Sequence, residues 1–183
     1  ARAIEPGRYT VILDPAAASD LLGRFRGAFN ARTADEGRSF MSKEGGGTKL
    51  GEKIVDERVN IWSDPLHPDV PASTWSGDGL PRKKTQWIEN GVVKNLAYDR
   101  YWASQQGVEP VPFAANMIME GGDTSFEEMI KSTKRGILVT RFWYIRSVDP
   151  QTLLFTGLTR DGTFYIENGQ IKYPVKNFRF NES

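Results

Sequence analysis

The chain offers few residues for metal binding or nucleophilic catalysis. Its 183 residues include no cysteine and one histidine, His67. A transition-metal site in a protein usually takes two or more His or Cys ligands. Catalysis of the Ser-His-Asp or Cys-His type would have to use His67, which lies between Pro65 and Pro68 in a segment typical of a surface loop. Only Asp64 and Asp69 could form a cluster with it, so the sequence predicts no catalytic residue and no metal ligand.

The most suggestive polar segment is Thr156–Gly162, with the sequence TGLTRDG. It carries two hydroxyls, on Thr156 and Thr159, and it places Arg160 among glycines that permit close backbone approach. We predict that this segment joins two strands. One interpretation is a turn with a surface pair between Arg160 and Asp161. The other is a rim that holds an extended peptide, with Thr156, Thr159 and Arg160 as the substrate-binding residues.

The glycine-rich segment of residues 31–52 lacks the signature of a nucleotide site. A phosphate-cradling loop needs the pattern G-x-x-x-x-G-K-[ST]. Gly46 and Gly51 have that spacing, but Glu52-Lys53-Ile54 follows, so the lysine is out of register and the hydroxyl is missing. We therefore expect a mobile loop over 31–52, which could serve as a flap but not as a nucleotide site.

Composition and charge exclude several classes of function. Lys and Arg number 24 and Asp and Glu number 23, which gives a formal net charge of +1. Generic nucleic-acid binding needs a clear basic excess, and the densest basic run, Arg82–Lys84, is too short to provide one. No apolar stretch approaches the ~20 residues that span a bilayer. We expect no nucleic-acid or membrane partner, and the cytoplasm as the compartment.

Short local signals predict the helices. An aspartate followed by proline suits a helix start, a Ser-x-x-Glu spacing is a capping box, and a glycine suits the residue after the last turn. An apolar face with helical periodicity follows the first signal. On these grounds we predict helices over 15–30, over 100–106 between Asp99 and Gly107, and from Ser125 to Gly136 with Glu128 completing the box.

Two Asn-Gly hairpins give the clearest strand signal. The tetrapeptide Ile-Glu-Asn-Gly occurs at 88–91 and again at 166–169. Asn-Gly suits the central positions of a type I′ turn, because both need positive φ. Further strands are predicted over 8–13, 53–62, 137–147 and 153–159. Hairpin connections favour antiparallel pairing, so the predicted fold class is α+β and β-rich, with mostly antiparallel sheets and two or three helices.

Five segments of the last third of the chain form a distinctive order. They are SFEEMI from Ser125, GILVTR from Gly136, TGLTRDG from Thr156, YIENG from Tyr165 and YPVKN from Tyr173. In this order they resemble the C-terminal part of the TldD/PmbA family, also named TldD/TldE and once called modulators of DNA gyrase. Tyr9–Tyr98 fits the same family. The resemblance implies one C-terminal-type domain over 1–183, or two halves of about 1–107 and 108–183 around one core, without the family's N-terminal α/β portion.

The family resemblance also implies an intracellular metallopeptidase that assembles as a dimer and processes unfolded or modified peptides. In TldD-type subunits an H-E-x-x-x-H helix and a later cysteine hold the metal. The helix that takes the equivalent place here is expected over Pro15–Phe25 and has no histidine. Catalytic zinc needs about three protein ligands. The departure matches the TldE/PmbA branch, so this chain is expected to hold no cofactor, with zinc only in a TldD-type partner.

The resemblance thus favours a TldE/PmbA-like, non-catalytic part of a metallopeptidase complex. Its expected partners are a TldD-type catalytic subunit or a second copy in a homodimer. The peptide substrate would bind by strand addition, with Thr159 and Arg160 lining the chamber. Two alternatives stay open. One is a stand-alone peptide- or protein-binding domain, and the other is a self-sufficient metallopeptidase that uses His67, Asp64 and Asp69.

Overall fold

Nine strands and four α-helices make up the computed structural model, which describes all residues 1–183. The strands are β1 (Thr10–Leu13), β2 (Ile61–Ser63), β3 (Thr85–Glu89), β4 (Val92–Val93), β5 (Ile118–Met119), β6 (Arg135–Asp149), β7 (Leu154–Glu167), β8 (Gln170–Pro174) and β9 (Arg179–Glu182). The helices are α1 (Pro15–Phe25), α2 (Ala31–Asp35), α3 (Arg100–Gln106) and α4 (Phe126–Ser132), with a 3-10 helix at Arg26–Phe29. None of the helices combines the length and the apolar character that crossing a bilayer demands.

The chain divides into two units, each with its own sheet. The first unit comprises Ala1–Leu22, Gly122–Asp149 and Leu154–Ser183, and the second comprises Gly23–Gly121 and Pro150–Leu153. These bounds differ from the two halves, 1–107 and 108–183, that the resemblance offered as one option. The elements confirm the predicted fold class, which is α+β and β-rich with mostly antiparallel strands.

The sheet of the first unit is organised around the hairpin of β6 and β7. These strands have 15 and 14 residues and pair antiparallel along their whole length. β1 lies parallel to the first part of β6. β8 and β9 both pair antiparallel with β7. Many residues of the long strands are β-branched or aromatic, and such side chains pack well on a pleated surface.

Two apolar clusters fill the opposite faces of this sheet. The cluster on the first face consists of Ala17, Ile137, Val139, Phe142 and Ile145. The cluster on the second face consists of Ile12, Leu138 and Ile166, with Phe126 and Ile130 of α4 packed against it. Consecutive residues 137, 138 and 139 alternate between the clusters, because neighbouring side chains of a strand point to opposite faces. Each fully buried aliphatic side chain contributes about 1.5–3 kcal/mol.

The second unit is built on a smaller antiparallel sheet in the order β4-β3-β2-β5. Trp87 on β3 is 1% exposed, and its ring centroid lies 5.4 Å from that of Phe29. The indole Nε1 donates to Ser63 Oγ on β2 at 3.0 Å. That bond satisfies the polar edge of a buried ring, so a large aromatic side chain can occupy the centre of a small core.

The capping signals are confirmed at α3 and at the start of α4. Asp99 Oδ1 accepts from Trp102 N at 2.7 Å, and Gly107 ends α3 in the left-handed region. Ser125 Oγ accepts from Glu128 N at 3.2 Å while Glu128 Oε2 accepts from Ser125 N at 2.9 Å, which completes the capping box. The bond from the Ser125 backbone holds the pKa of the Glu128 carboxyl below its ordinary value.

Other expectations about the helices and the loop between them were met only in part. The helix predicted over 15–30 stops as an α-helix at Phe25 and continues as a 3-10 turn. The predicted mobile loop over 31–52 contains α2, which Asn30 caps by accepting from Thr33 N at 3.0 Å, and a fully buried Met41. α4 ends at Ser132, before the predicted stop, because β6 begins three residues later. The chain therefore has four α-helices instead of two or three.

Two strand expectations were also wrong. In the strand predicted over 53–62, Asp56 Oδ1 accepts from Arg58 N at 2.9 Å and Asp56 O accepts from Val59 N at 3.0 Å. An aspartate that bonds the backbone two residues on favours a turn over a strand, so β2 begins only at Ile61. The strand predicted over 153–159 is confirmed as part of β7, but the expectation that the TGLTRDG segment joins two strands is wrong, because that segment lies inside β7.

Packing as well as turn geometry requires a glycine at the end of each Ile-Glu-Asn-Gly segment. Gly91 and Gly169 have φ angles of 76° and 74°, in the region that favours glycine. A Cβ on Gly91 would lie 2.3 Å from the carbonyl oxygen of Val55, and one on Gly169 would lie 2.6 Å from that of Lys131. Each hairpin tip therefore packs against the backbone of an earlier segment of its own unit.

We expect Gly91→Ala to destabilise the chain far more than Gly107→Ala. Both positions have positive φ, which costs an alanine about 1–2 kcal/mol. A Cβ at Gly107 meets no heavy atom within 4 Å, whereas at Gly91 it meets the Val55 carbonyl, so the backbone must shift. In urea unfolding the extra loss should reach about 2 kcal/mol or more. Equal unfolding midpoints would contradict the packing of the tip.

Candidate functional site

The three residues predicted to bind peptide lie on β7, where they point to both faces of the sheet. Thr156 and Arg160 share one face because they are separated by an even number of residues, and Thr159 points to the other. Thr159 lies opposite the buried Phe142, and Arg160 lies opposite Arg141. The structure therefore does not bring the three side chains together. We call the side with Thr159 the groove face and the side with Thr156 and Arg160 the outer face.

Both threonines hold the segment that leads into β9. Thr159 is 2% exposed, its N donates to Phe178 O at 3.0 Å, and its Oγ1 accepts from Phe178 N at 3.2 Å. On the outer face, Thr156 Oγ1 donates to Phe180 O at 3.1 Å and accepts from Arg179 Nη1 at 3.2 Å. Residues 178–180 are thereby fixed against β7, and Phe178 and Phe180 pack against the first apolar cluster.

Arg160 lies between an aromatic ring and a carboxylate. Its guanidinium carbon is 4.4 Å from the ring centroid of Trp143. Its Nε is 3.5 Å from Asp161 Oδ1, and both side chains are about half exposed. An exposed ion pair of this kind contributes little to stability. The expected pair between Arg160 and Asp161 is present, but it lies on a strand and not in a turn.

A β-bulge explains the turn-like residues inside β7. Between the pairs Val139–Thr163 and Arg141–Arg160, β7 has one residue more than β6. The additional length is taken up at Asp161 and Gly162, whose φ angles are 60° and 156°. Asp-Gly suits such a bulge for the same reason that it suits a turn, because it tolerates positive φ. The sequence therefore indicated correctly that this segment has residues with positive φ, but it did not distinguish a β-bulge from a turn.

A groove of about 860 Å³ opens on the groove face of the first unit. This volume suits a ligand of several residues. Its apolar lining includes Tyr9, Val11, Ile137, Leu154, Phe178 and Phe180. No local motif marks this groove in the sequence, because its residues come from distant segments of the chain.

Two edge strands border the groove. β1 pairs only with β6, and β9 pairs only with β7. Val11 of β1 and Arg179–Glu182 of β9 line the groove. An edge strand leaves alternate N–H and C=O groups unpaired, and an extended segment of another chain can pair with them. Edge strands beside an apolar groove are a candidate place for a peptide to add as a further strand.

The charges beside the groove are balanced. The charged lining side chains are those of Glu5, Arg8, Arg179 and Glu182. Next to the lining residue Tyr9, the guanidinium carbon of Arg135 lies 4.8 Å from the centroid of the Tyr9 ring. Its interaction with the Tyr9 side chain is the main cause that raises the pKa of Arg135 above its ordinary value. The charged lining side chains are thus two cations and two anions. This balance gives the groove no preference for acidic or basic peptides.

The donor set of this chain does not fit a zinc site. No three His, Cys, Asp or Glu side chains lie close enough together to hold a metal ion. His67 Nδ1 accepts from Asp69 N at 3.3 Å. Asp64 Oδ1 accepts from Leu66 N at 3.0 Å, so this carboxylate is engaged within its own loop. Since catalytic zinc takes about three protein ligands, these residues support no metal-dependent step.

Comparison with known families identifies the class of this domain. Residues 6–183 match the family described as the PmbA/TldA metallopeptidase C-terminal domain. The match covers nearly the whole chain, and the chain belongs to this family. The resemblance drawn from its five segments is thereby confirmed.

Individual relatives agree with this family. A protein named metalloprotease from Methanothermobacter thermautotrophicus is 30% identical, over 93% of this chain and 39% of that protein. A protein from Thermotoga maritima described as a modulator of a DNA gyrase has a TM-score of 0.87 and 25% identity, over 99% of this chain and 43% of its own. TldE from Thermococcus kodakarensis has a TM-score of 0.76 and 26% identity, over 94% and 41%. This chain spans about two fifths of the length of these proteins.

We expect Thr159→Val and Thr163→Val to have different effects on stability. Both threonines are 2% exposed, and valine has nearly the same shape. Thr159→Val removes the acceptor of Phe178 N, which should cost about 1–3 kcal/mol. Thr163 Oγ1 is buried without a hydrogen-bond partner, so Thr163→Val should be neutral or stabilising. Urea unfolding measures both changes, and equal losses would contradict the role assigned to the Thr159 hydroxyl.

Proposed function

We propose that this domain is a TldE/PmbA-like, non-catalytic part of a metallopeptidase complex and that its groove binds unfolded or modified peptides as an added strand. In this proposal a TldD-type subunit supplies the zinc and the chemistry of peptide cleavage. This chain supplies part of the surface that encloses the peptide. The observation that carries the proposal is the apolar groove bordered by the edge strands β1 and β9.

The side chains available to this domain support the non-catalytic role. α1 is the helix that corresponds to the metal-binding helix of TldD-type subunits in the family resemblance. It contains no histidine, and its residue Ala17 is fully buried in the first apolar cluster. The similarity to TldE from Thermococcus kodakarensis is consistent with this role. A partner with its own set of ligands would therefore have to provide the metal chemistry.

The geometry of the groove supports peptide binding by strand addition. Main-chain hydrogen bonds give affinity that depends little on the sequence of the peptide. Affinity that depends little on sequence suits unfolded peptides as substrates. The apolar floor would accept every second side chain of the added strand, because side chains alternate along a strand. In this arrangement Thr156 and Thr159 are positioning residues that hold β9, whereas Arg160 lies on the outer face.

Co-expression with a TldD-type protein tests the non-catalytic role. We expect a tag on this chain to recover a stable complex that contains zinc and cleaves an unstructured peptide. This chain alone should contain no stoichiometric zinc and should leave the same peptide intact, because it lacks a set of three ligands.

Three other outcomes would contradict the non-catalytic role. Failure of the two proteins to associate would leave a stand-alone binding domain. A zinc-containing, active homodimer of this chain would show that it needs no other subunit. Zinc and cleavage by the isolated chain, both lost in His67→Ala, would establish a self-sufficient metallopeptidase.

A substitution in the groove tests peptide binding directly. Val11→Arg places a long charged side chain on the apolar floor and should weaken binding of an unstructured peptide by about tenfold or more, as measured by fluorescence anisotropy. Val108→Arg is the matched control, because Val108 is 46% exposed against 47% for Val11 and belongs to the second unit.

A modified probe separates strand addition from simple apolar contact. Methylation of alternate backbone nitrogens removes the N–H donors from one edge of the peptide without changing its side chains. Strand addition requires that one methylation pattern abolishes binding to the chain. Equal affinity of every methylated peptide would exclude strand addition even if Val11→Arg weakens binding.

A further inference from the structure

The outer face of β6 and β7 concentrates arginine and aromatic side chains at positions that the groove does not use. Residues directly opposite each other on paired strands point to the same face. The register pairs Arg141 with Arg160, Trp143 with Leu158 and Arg146 with Thr156. These six residues define the outer face, and the side chain of Trp143 is 47% exposed.

Arg141 and Arg160 form a cross-strand pair that is unusual in a β-sheet. Like charges directly opposite each other on neighbouring strands are destabilising. Their side chains are 53% and 46% exposed. One carboxylate lies between them, since Asp161 Oδ2 is 4.0 Å from Arg141 Nη1 and Asp161 Oδ1 is 3.5 Å from Arg160 Nε. One carboxylate neutralises only one of the two guanidinium groups, so this end of the face keeps a positive charge.

Stacking on aromatic rings holds the arginines in place. The guanidinium of Arg160 lies 4.4 Å from the ring centroid of Trp143, and that of Arg146 lies 4.4 Å from the ring centroid of Tyr144. Each stack reduces the freedom of a flexible side chain while its N–H groups remain able to donate. The face therefore presents ordered guanidinium donors beside exposed aromatic surface.

Tyr144 adds a strained and exposed aromatic side chain to the same region. It has a φ angle of 51°, which is rare for a bulky residue, and it is 57% exposed. It lies in the irregular part of β6 between Trp143 and Arg146. Such strain is typically retained at functional positions. Here it leaves a large aromatic ring in solvent, where it contributes little to the core.

Tryptophan, tyrosine and arginine are the residue types that dominate protein-binding hot spots. Guanidinium groups recognise carboxylates through paired N–H donors. A nucleic acid is less well matched, because the formal net charge of +1 gives little general attraction for phosphates and Asp161 lies among the arginines. The complementary partner is therefore a polypeptide that carries carboxylates next to apolar side chains.

We propose that the outer face is a docking site for an acidic segment of a partner protein. Carboxylates of that segment bind Arg141 and Arg160, and apolar side chains of the segment pack on Trp143, Tyr144 and Leu158. Arg179 lies opposite Leu158 and also lines the groove, so the two sites adjoin, but this proposal does not depend on peptide binding in the groove.

A labelled peptide that alternates glutamate and leucine tests the docking site by fluorescence anisotropy. We expect binding that weakens as salt rises. Arg160→Glu and Arg141→Glu should each reduce the affinity by about tenfold or more. Each variant replaces a like-charge pair by an opposite-charge pair, so the fold should be retained, as a thermal melt will show. Arg24→Glu, a change of the same chemistry on α1, should leave the affinity unchanged.

The remaining probes decide the identity of the occupant. A peptide that alternates lysine and leucine should bind at least tenfold more weakly than the acidic one. Unchanged affinity of both outer-face variants would overturn the proposal. Equal binding of the two peptides would overturn it in favour of apolar association, and tighter binding of an oligothymidylate that Arg160→Glu abolishes would overturn it in favour of a nucleic acid. Because the groove is proposed to bind any unstructured peptide, each of these affinities is measured in a chain that also carries Val11→Arg, which keeps the outcome independent of the groove.

Discussion

The antiparallel pairing of β6 with β7 positions nearly every other element of the first unit. β6 provides the partner of β1 and residues of both apolar clusters, and β7 provides the partner of β8 and β9. A slip of one residue would exchange Ile137 and Val139 with Leu138 between the two faces, because the side-chain period of a strand is two. The bulge at Asp161 and Gly162 fixes the register, since only one alignment places the residues with positive φ opposite the shorter stretch of β6.

The same hairpin gives the first unit two chemically different surfaces. On the groove face, Thr159 holds Phe178 and thereby one border of the apolar groove. On the outer face, Arg160 lies over Trp143 and opposite Arg141. Alternation along one strand places these two surfaces back to back. A peptide in the groove and a protein on the outer face could therefore bind at the same time without competing for side chains.

A domain of a metallopeptidase family without a set of metal ligands still has a clear physical use. Metal-dependent cleavage of a peptide bond needs several ligands clustered around the metal, and His67 and the carboxylates of this chain form no such cluster. Holding an extended peptide needs an unpaired strand edge and an apolar floor, and the backbone of β1 and β9 with the surrounding side chains meets that need. The division of roles that we propose between this chain and a TldD-type partner is consistent with these separate requirements.

Local chemistry in the sequence determined the caps of α3 and α4, the two Asn-Gly hairpins, the α+β class and the scarcity of metal ligands, because each depends on residues a few positions apart or on composition alone. The sequence also marked TGLTRDG as unusual, but Asp-Gly serves a bulge as well as a turn, so only the tertiary structure showed that Thr159 and Arg160 face opposite sides. The groove could not be predicted at all. Its lining joins Tyr9 and Val11 to Phe178 and Phe180, and only the pairing of β1 with β6 and of β9 with β7 brings those distant segments together.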